Sequence, residues 1–375
     1  MSRSKSSARR PSHLEHPVAL GSFRSWLRVL RLGGPVDREF LPRLLFVCSS
    51  TLFTSPLRLG ERVRYGEAIR RTEIHPSPIF IIGHWRSGTT FLHHLLCQDR
   101  RFGYLTTFQA MAPGFFLIGR GKIRGFLEKK TRERYPTRLI DNVPLLLDAP
   151  EEDEFALANM SPYSFLHAFT FPRQARYFFK RYVLFEGIPQ TELERWVSTY
   201  LELLRKVTLA SQGRRLVLKN CANTARIRVL LRLFPEAKFI HIYRNPYRVF
   251  VSTLHLHGTV LPRSQLQRIG PEQVEANVLE FYERLMKKYL ADRHLIPAGS
   301  LVEVRFEELE RSPLDQLRRI YEELGLPEFA VAEPAFRAYL RSVAGYRKNT
   351  YRLDVAAGGR TGLRGREVLR PWGWA

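Results

Sequence analysis

The chain has 375 residues, of which 44% are hydrophobic, and this excludes both a mini-protein and a chain that is disordered over most of its length. Its 60 basic and 36 acidic residues leave a formal net charge of +24, which predicts binding to anions such as phosphorylated small molecules, acidic lipid headgroups or nucleic acid. Three cysteines without a CxxC pair exclude a disulfide scaffold and the common cysteine-rich zinc sites, and they favour a reducing compartment.

Two segments precede the part of the chain with the clearest pattern. Residues 1–16 are rich in serine and arginine and lack apolar periodicity, so they predict a flexible basic arm. Residues 17–75 predict a helical, partly apolar segment. Within it, the stretch 40–57 is strongly apolar but contains two prolines and an arginine, and it falls short of the ~20 residues that a membrane-spanning helix needs. Two interpretations of this stretch stay open: a helix packed on the body of the protein, or an interfacial helix that contacts anionic lipid through flanking arginines.

From residue 76 onward the pattern changes to alternating strands and helices. Apolar runs predict four strands, at residues 79–82, 216–218, 239–242 and 301–304. Apolar residues with helical spacing follow the strands, and Ser312 with Pro313 predicts the N-cap and first position of one such helix. This order predicts an α/β fold with parallel strands.

The first predicted strand runs directly into the sequence GHWRSGTT. A strand, a turn bounded by Gly83 and Gly88, and a helix N-terminus direct several backbone N–H groups and a positive dipole end to one point, which predicts an anion site. The spacing matches the G-x-x-x-x-G of a P-loop, but Thr89 stands where a lysine is expected and Arg86 lies inside the loop. The best neighbouring strand ends in Arg244 rather than in a carboxylate for Mg²⁺, so we predict no metal site.

This loop resembles the 5′-phosphosulfate loop of sulfotransferases that use 3′-phosphoadenosine 5′-phosphosulfate (PAPS), in the bacterial-type branch that carries Arg-Ser-Gly-Thr-Thr. A second stretch, FIHIYRNPYRVFVS, resembles the 3′-phosphate motif of the same family, with Ser252 eight residues after Arg244. Asn245 and Pro246 predict a helix start between them, and this start allows the arginine and the serine to reach one phosphate.

The resemblance implies a P-loop-like three-layer fold, with a central parallel sheet and helical embellishments. It implies a sulfotransferase domain at residues 76–355, followed by a basic, glycine-containing tail at 356–375. It also implies that PAPS donates a sulfuryl group to a hydroxyl or amine by metal-independent in-line displacement, which leaves adenosine 3′,5′-bisphosphate. The residues implied to bind this donor are Gly83, Arg86, Ser87, Gly88, Thr89, Thr90, Arg244, Ser252, Arg347 and Lys348. The last two follow from a partial match to a Gly-x-x-Gly-x-x-Lys loop, in which Ser342 replaces the first glycine.

Catalytic residues are predicted from charge. Arg86 and Lys219 are expected to stabilise the departing phosphate, the lysine because its position resembles the strand-end lysine of the family. For the general base, the acidic run APEEDEF supplies Glu152 and Glu154, with Asp153 between them, since crowded carboxylates raise one another's pKa. The alternative for these acids is that they only complement the dipole of a helix start. Further candidates for the base are His84, His93, His94, His255 and His257.

The acceptor is predicted only by class. Residues 103–200 are rich in Phe, Tyr and Pro, and an acceptor pocket built there suits a small molecule, a lipid or a glycan. We expect a cytoplasmic protein, with peripheral contact to the inner, anionic membrane surface as an open alternative, and no specific nucleic acid partner. The sequence makes no prediction of oligomeric state. Two other classes stay open: a P-loop kinase or NTPase, and a non-enzymatic basic protein that binds membrane or nucleic acid.

Overall fold

A five-stranded parallel sheet lies at the centre of the computed structural model, which describes residues 16–134 and 146–345. The strands are β1 (Ile79–Ile82), β2 (Phe102–Gly103), β3 (Arg215–Lys219), β4 (Lys238–Tyr243) and β5 (Leu301–Arg305). Their order across the sheet is β2-β3-β1-β4-β5. From β1 the chain goes to β2 and β3 on one side, and after β3 it crosses to β4 and β5 on the other. The predicted central parallel sheet is confirmed. Strand β2 is not predicted from the sequence, because a strand of two residues is too short to show a periodic pattern.

Helices cover both faces of the sheet. Among the described residues the α-helices are α1 (Phe23–Gly33), α2 (Leu41–Phe53), α3 (Ser55–Arg71), α4 (Thr89–Leu96), α5 (Thr107–Met111), α6 (Lys122–Arg134), α7 (Asp153–Met160), α8 (His167–Thr170), α9 (Ala175–Tyr182), α10 (Gln190–Ala210), α11 (Ile227–Leu233), α12 (Pro246–Ser264), α13 (Pro271–Asp292), α14 (Phe306–Arg311), α15 (Pro313–Glu323) and α16 (Phe329–Ser342). Short 3-10 helices lie at Arg38–Phe40, Pro172–Gln174, Cys221–Ala225 and Arg293–Leu295.

Strand β1 shows why the sheet is covered on both sides. All four of its residues are buried, and their side chains alternate between two hydrophobic clusters. Ile79 and Ile81 pack in the cluster formed with α4, α15 and α16, whereas Phe80 and Ile82 pack in the cluster that includes α1, α2, α7 to α11 and α13. A strand buried on both faces is read in the sequence as a continuous apolar run. The arrangement is the three-layer fold expected from the sequence.

The apolar stretch near the N-terminus is packed on the body through one side. Helices α2 and α3 follow each other with only Thr54 between them. Arg43 is buried and donates hydrogen bonds to the carbonyls of Pro262 and Gln265, each at 2.8 Å, at the end of α12. Among the described residues, the helical stretch Arg38–Arg71 is long and apolar enough to cross a membrane, by length and composition alone. In its most apolar window, 28% of the residues are buried inside the protein. The sequence predicts a shorter apolar stretch because Pro42, Arg43 and Pro56 interrupt residues 40–57, but both prolines lie in the first turn of a helix, where proline is tolerated.

Helix starts follow the predicted chemistry in one case and depart from it in another. The Asn245 side chain accepts hydrogen bonds from the N–H groups of Tyr247 (3.1 Å) and Arg248 (3.2 Å), as an N-cap does. Ser312 occupies the cap position of α15, but within the part of the chain that the structure describes its side chain makes no cap hydrogen bond.

Several predictions lie outside the described residues. These are residues 1–15 of the basic arm, the pair Arg347 and Lys348, and the tail 356–375. The limits assigned to the domains stay predictions.

Candidate active site

The loop after β1 is shaped by two glycines that no other residue can replace without a shift. Gly83 has a φ of +141° and Gly88 a φ of +101°, both in a region that disfavours side chains. A Cβ at Gly88 would lie 2.1 Å from the ring of Phe306, and one at Gly83 would lie 2.2 Å from the carbonyl oxygen of Ile242. The loop therefore lies tightly against the end of β4 and the start of α14.

The loop leads into the N-terminus of α4, which is built to receive a negative charge. The first-turn N–H groups of Thr89 and Thr90 have no acceptor inside the helix. Among the described residues, no side chain caps this end, where Gly88 is the N-cap residue. Ser87 helps to close the turn, because its hydroxyl donates a hydrogen bond to the carbonyl of His84 at 2.7 Å. The helix dipole and the available N–H groups together suit a phosphate or sulfate oxygen.

Three predicted donor-binding residues meet where β1 and β4 end. The Arg86 Nε donates a hydrogen bond to the hydroxyl of Ser252 at 2.9 Å, although the two residues lie on different elements. Arg244 Nη1 donates to the Arg86 carbonyl at 3.4 Å, and the Arg244 guanidinium lies 4.4 Å from the centre of the Phe306 ring. Two guanidinium groups and a hydroxyl in one place make a candidate anion site, since arginine donates several charge-assisted hydrogen bonds to a phosphate.

A buried ion pair lies beside this anion site. Lys219 ends β3, and its Nζ contacts Glu152 Oε2 at 2.5 Å, with both side chains buried. The other Glu152 oxygen accepts a hydrogen bond from the N–H of Cys221 at 3.2 Å, and the Cys221 sulfur lies 3.7 Å from the hydroxyl of Thr89. Burial acts against the charged lysine, but the charge of Glu152 outweighs it and raises the pKa of Lys219 above its usual value. Lys219 therefore keeps its positive charge near the N-terminus of α4.

The neighbouring acids have different environments. Glu154 binds Arg226 and Asn220, at 2.8 Å each, and although burial opposes ionisation, the charge of Arg226 and these hydrogen bonds hold its pKa below the usual value. Asp153 accepts a hydrogen bond from the Tyr200 hydroxyl at 2.8 Å, and burial raises its pKa to about 7. Crowding among the acids was expected to raise these pKa values, but burial is the larger cause for Asp153 and an arginine reverses the effect for Glu154.

An apolar cavity adjoins the loop on the side of α12 and α13. The cavity consists of two adjacent hollows, and both are lined by Phe165, Phe169, His257 and Phe281. One hollow also reaches His84 and Trp85 of the loop, and the other reaches the buried side chain of Asn277. Burial lowers the pKa of both His84 and His257 to about 4, so these rings are neutral at physiological pH.

The predicted acceptor region contributes only part of this wall, because α12 and α13 lie outside residues 103–200. Of the other histidines considered, His93 and His94 are buried on α4 and His255 is exposed on α12. None of these three lines the described cavity.

Two side chains without a predicted role, Thr224 and Phe306, support the loop and Arg244. The Thr224 hydroxyl accepts a hydrogen bond from the N–H of Gly83 (2.7 Å) and donates one to its carbonyl (3.1 Å), which fixes the loop to the segment after β3. Phe306 begins α14 directly after β5 and packs on Arg244. The rule that sites form at the carboxyl ends of parallel strands could have identified Phe306, whereas Thr224 has no comparable sequence signal.

Comparison with known proteins connects this geometry to a family. The sequence matches the model described as "Sulfotransferase family" over residues 78–330. It is 34% identical over 343 residues to the proteins named "Omega-hydroxy-beta-dihydromenaquinone-9 sulfotransferase Stf3" from Mycobacterium bovis and Mycobacterium tuberculosis, with 90% of this chain and 86% of each relative covered.

Solved structures agree at the level of the fold. Sulfotransferase STF1 from Mycobacterium tuberculosis superposes with a TM-score of 0.68 at 18% identity. Sulfotransferase STF9 from Mycobacterium avium superposes with a TM-score of 0.70 at 20% identity, and each comparison covers 94% of this chain and 92% of the other. With a family match over most of its length and relatives at this identity, the chain belongs to the sulfotransferase family and is an enzyme of sulfuryl transfer.

Proposed function

We propose that this enzyme transfers the sulfuryl group of PAPS to the hydroxyl of a largely apolar, lipid-like acceptor, in the cytoplasm and without a metal ion. The assignment of the donor rests on one observation, namely that Arg86, Arg244 and Ser252 lie close together beside the N-terminus of α4. These groups supply positive charge and hydrogen-bond donors for two phosphates, which is the work that Mg²⁺ and a lysine do in a P-loop NTPase. No cluster of metal-ligating side chains occurs in residues 16–134 and 146–345.

The donor-binding residues divide into two sets. The N–H groups of Thr89 and Thr90 bind the 5′-phosphosulfate, and the closeness that Gly88 permits lets the backbone approach it. Arg244 and Ser252 bind the 3′-phosphate. Arg86 bridges the two sets, because its backbone belongs to the loop and its side chain is hydrogen-bonded to Ser252. When bound, PAPS supplies an activated sulfuryl group with a phosphate leaving group.

Among the predicted bases we assign the role to Glu152. The Glu154 carboxylate accepts hydrogen bonds from Arg226, Asn220, Ser164 and the N–H of Phe165, so it is more fully occupied than Glu152, and Asp153 is hydrogen-bonded to Tyr200 of α10. Glu152 pairs with Lys219 and lies nearer the loop, because it accepts a hydrogen bond from Cys221, whose sulfur lies 3.7 Å from the Thr89 hydroxyl. It accepts the proton of the acceptor hydroxyl, while the lysine donates a hydrogen bond to the oxygen on which charge develops.

The acceptor class follows from the cavity and from the relatives. The Stf3 proteins are named for an omega-hydroxy-beta-dihydromenaquinone-9 acceptor. In this chain the cavity wall is mainly apolar and includes Phe165, Phe169 and Phe281, and this wall suits an isoprenoid-like or other apolar alcohol better than a glycan. The free space holds about one water molecule, so the wall must open for an acceptor to enter. The free thiols of Cys48, Cys97 and Cys221 fit a cytoplasmic location.

The test is a transfer assay with ³⁵S-labelled PAPS and a panel of lipid alcohols, run with and without EDTA. We expect labelled lipid in both conditions, loss of product by at least 10²-fold in Arg86→Ala, and normal activity in the control Arg214→Ala, which changes an exposed arginine. Hydrolysis of ATP that requires Mg²⁺, with no affinity for PAPS or adenosine 3′,5′-bisphosphate, would instead identify a P-loop kinase or NTPase.

A further inference from the structure

The outer side of α2 and α3 carries large apolar side chains that are exposed to solvent. Along α2, Leu41, Leu45 and Leu52 are spaced by four and seven residues and share one side of the helix. Along α3, Leu59 and Val63 are spaced by four. The exposed fraction reaches 65% for Leu45, 80% for Val63 and 86% for Phe53. We call this surface the α2–α3 face, formed by Leu41, Leu45, Leu52, Phe53, Leu59 and Val63.

The opposite side of the same helices is fixed to the body by polar groups that could not be left without partners. Arg43 donates to two carbonyls at the end of α12, as described above. Glu61 of α3 is buried and pairs at 2.5 Å with the buried Lys206 of α10, and it also accepts a hydrogen bond from the N–H of Leu117 at 2.6 Å. Pulling the helices into a bilayer would leave these charges unpaired, at a large free-energy cost. The α2–α3 face is therefore presented outward by an anchored pair of helices.

Basic residues surround the apolar ones. Exposed arginines on α3 are Arg62, Arg64, Arg70 and Arg71, and exposed arginines on α1, which packs against α2, are Arg24, Arg28 and Arg31. The sequence of α1 contains no acidic residue, and Glu67 on α3 pairs with two of its arginines. Protruding leucines beside arginines are the composition of an interfacial membrane helix, and two such basic faces would repel each other in a dimer.

We propose that the α2–α3 face docks this enzyme on the surface of an anionic lipid bilayer. Leu45, Phe53 and Val63 enter the boundary between headgroups and acyl chains, and the arginines contact the headgroups. This docking requires no property of the donor site.

The position of the face relative to the cavity gives the docking a consequence. The carbonyls that Arg43 holds belong to Pro262 and Gln265, at the C-terminal end of α12. The same helix lines the cavity with His257 and Leu261. Arg43 lies on the side of α2 that faces the body, so docking through α2 places the end of α12 about one helix diameter (~10 Å) behind the bilayer surface. An apolar alcohol dissolved in the bilayer then has a short path past α2 to the cavity. This step, unlike the docking itself, rests on the proposed function.

The experiment is co-sedimentation of the full chain with vesicles of phosphatidylcholine, alone or with 30 mol% phosphatidylglycerol, at low salt and at about 0.5 M NaCl. Leu45→Asp/Phe53→Asp should reduce partitioning at least tenfold. Arg62→Glu/Arg64→Glu should reduce it by at least about 30-fold on anionic vesicles at low salt, and much less at high salt. Val331→Asp is the matched control for the first variant, because Val331 is 61% exposed on α16, in the opposite layer. Arg214→Glu is the control for the second. Basic residues of 1–15 and 346–375 are common to all variants, so their contribution cancels.

The proposal is overturned if both double variants bind within twofold of the wild type, or if neutral and anionic vesicles bind equally at low salt. It is also overturned if the protein resists extraction by alkaline carbonate, as a spanning helix would, or if the apolar double variant only converts a dimer to a monomer with unchanged vesicle binding. Calorimetry with adenosine 3′,5′-bisphosphate separates this result from the proposed function. Every variant should bind the bisphosphate with the same affinity as the wild type. If the wild type does not bind the bisphosphate, the donor assignment is refuted and the docking result still stands.

Discussion

Replacing Glu152 by glutamine tests whether the buried pair with Lys219 takes part in the reaction or only supports the fold. The variant keeps an oxygen for the N–H of Cys221 but removes the negative charge 2.5 Å from the lysine. An uncompensated ammonium in a buried site lowers the free energy of unfolding by about 3–5 kcal/mol. Loss of the proton acceptor should independently lower kcat by about 10²–10⁴-fold. The two effects need separate assays, namely denaturant unfolding and initial rates at a temperature where the variant is folded.

The chain contains a matched control for this experiment. Glu61 and Lys206 form a second buried pair, also at 2.5 Å, between α3 and α10. Glu61→Gln should therefore lower the free energy of unfolding by a similar ~3–5 kcal/mol while kcat stays within about threefold of the wild type. The double variant Glu152→Gln/Lys219→Met should regain part of the stability and none of the activity. Full kcat in Glu152→Gln, or an equal loss of kcat in Glu61→Gln, would refute the assignment of Glu152 as the base.

Three further outcomes are expected. Arg244→Ala should weaken adenosine 3′,5′-bisphosphate at least tenfold more than adenosine 5′-phosphate in calorimetry, because this arginine is assigned to the 3′-phosphate; equal losses for both ligands would contradict this role. Asp153→Asn should remove a pH dependence of stability. Burial raises the folded pKa of Asp153 to about 7, so the folded state holds a proton that the unfolded state releases, and stability falls as the pH rises from about 4 to 7. The free energy of unfolding of the variant minus that of the wild type should therefore rise with pH through this window, by at most about 1.4 kcal/mol per pH unit. A difference that does not change with pH would contradict the raised pKa of Asp153. Gly88→Ala should lower the free energy of unfolding by about 1–3 kcal/mol and abolish bisphosphate binding, because its Cβ would meet Phe306, whereas Gly121→Ala has open space and should change neither.

The parts of the site that could be predicted are those encoded locally. The strand, the loop with Gly83 and Gly88 and the start of α4 are contiguous, and the geometry of each follows from its own residues. The Asn245 cap is equally local, because its hydrogen bonds reach only two and three residues ahead.

Pairings over long distances in sequence could not be predicted in the same way. Lys219 and Glu152 are 67 residues apart, and Arg226 and Glu154 are 72 residues apart. The pairing of each acid with its cation depends on how α7 packs against the segment after β3. This packing cannot be inferred from the acidic run alone. The cavity wall has the same origin, since Phe165 and Phe281 meet only in the folded chain.

The order of the strands has a consequence for how this enzyme can diversify. In the sequence β2-β3-β1-β4-β5 the chain turns to opposite sides after β1 and after β4, and a crevice opens between their ends. Of the residues that we propose to bind the donor, the loop after β1 and Arg244 follow these two strands directly, so the sheet holds them in place. The wall of the cavity that we propose for the acceptor is formed largely by residues of α8, α12 and α13. Substitutions at the cavity-lining positions of these helices are therefore expected to change the preferred alcohol, provided that Ser252, which lies on α12 but outside the cavity, is kept.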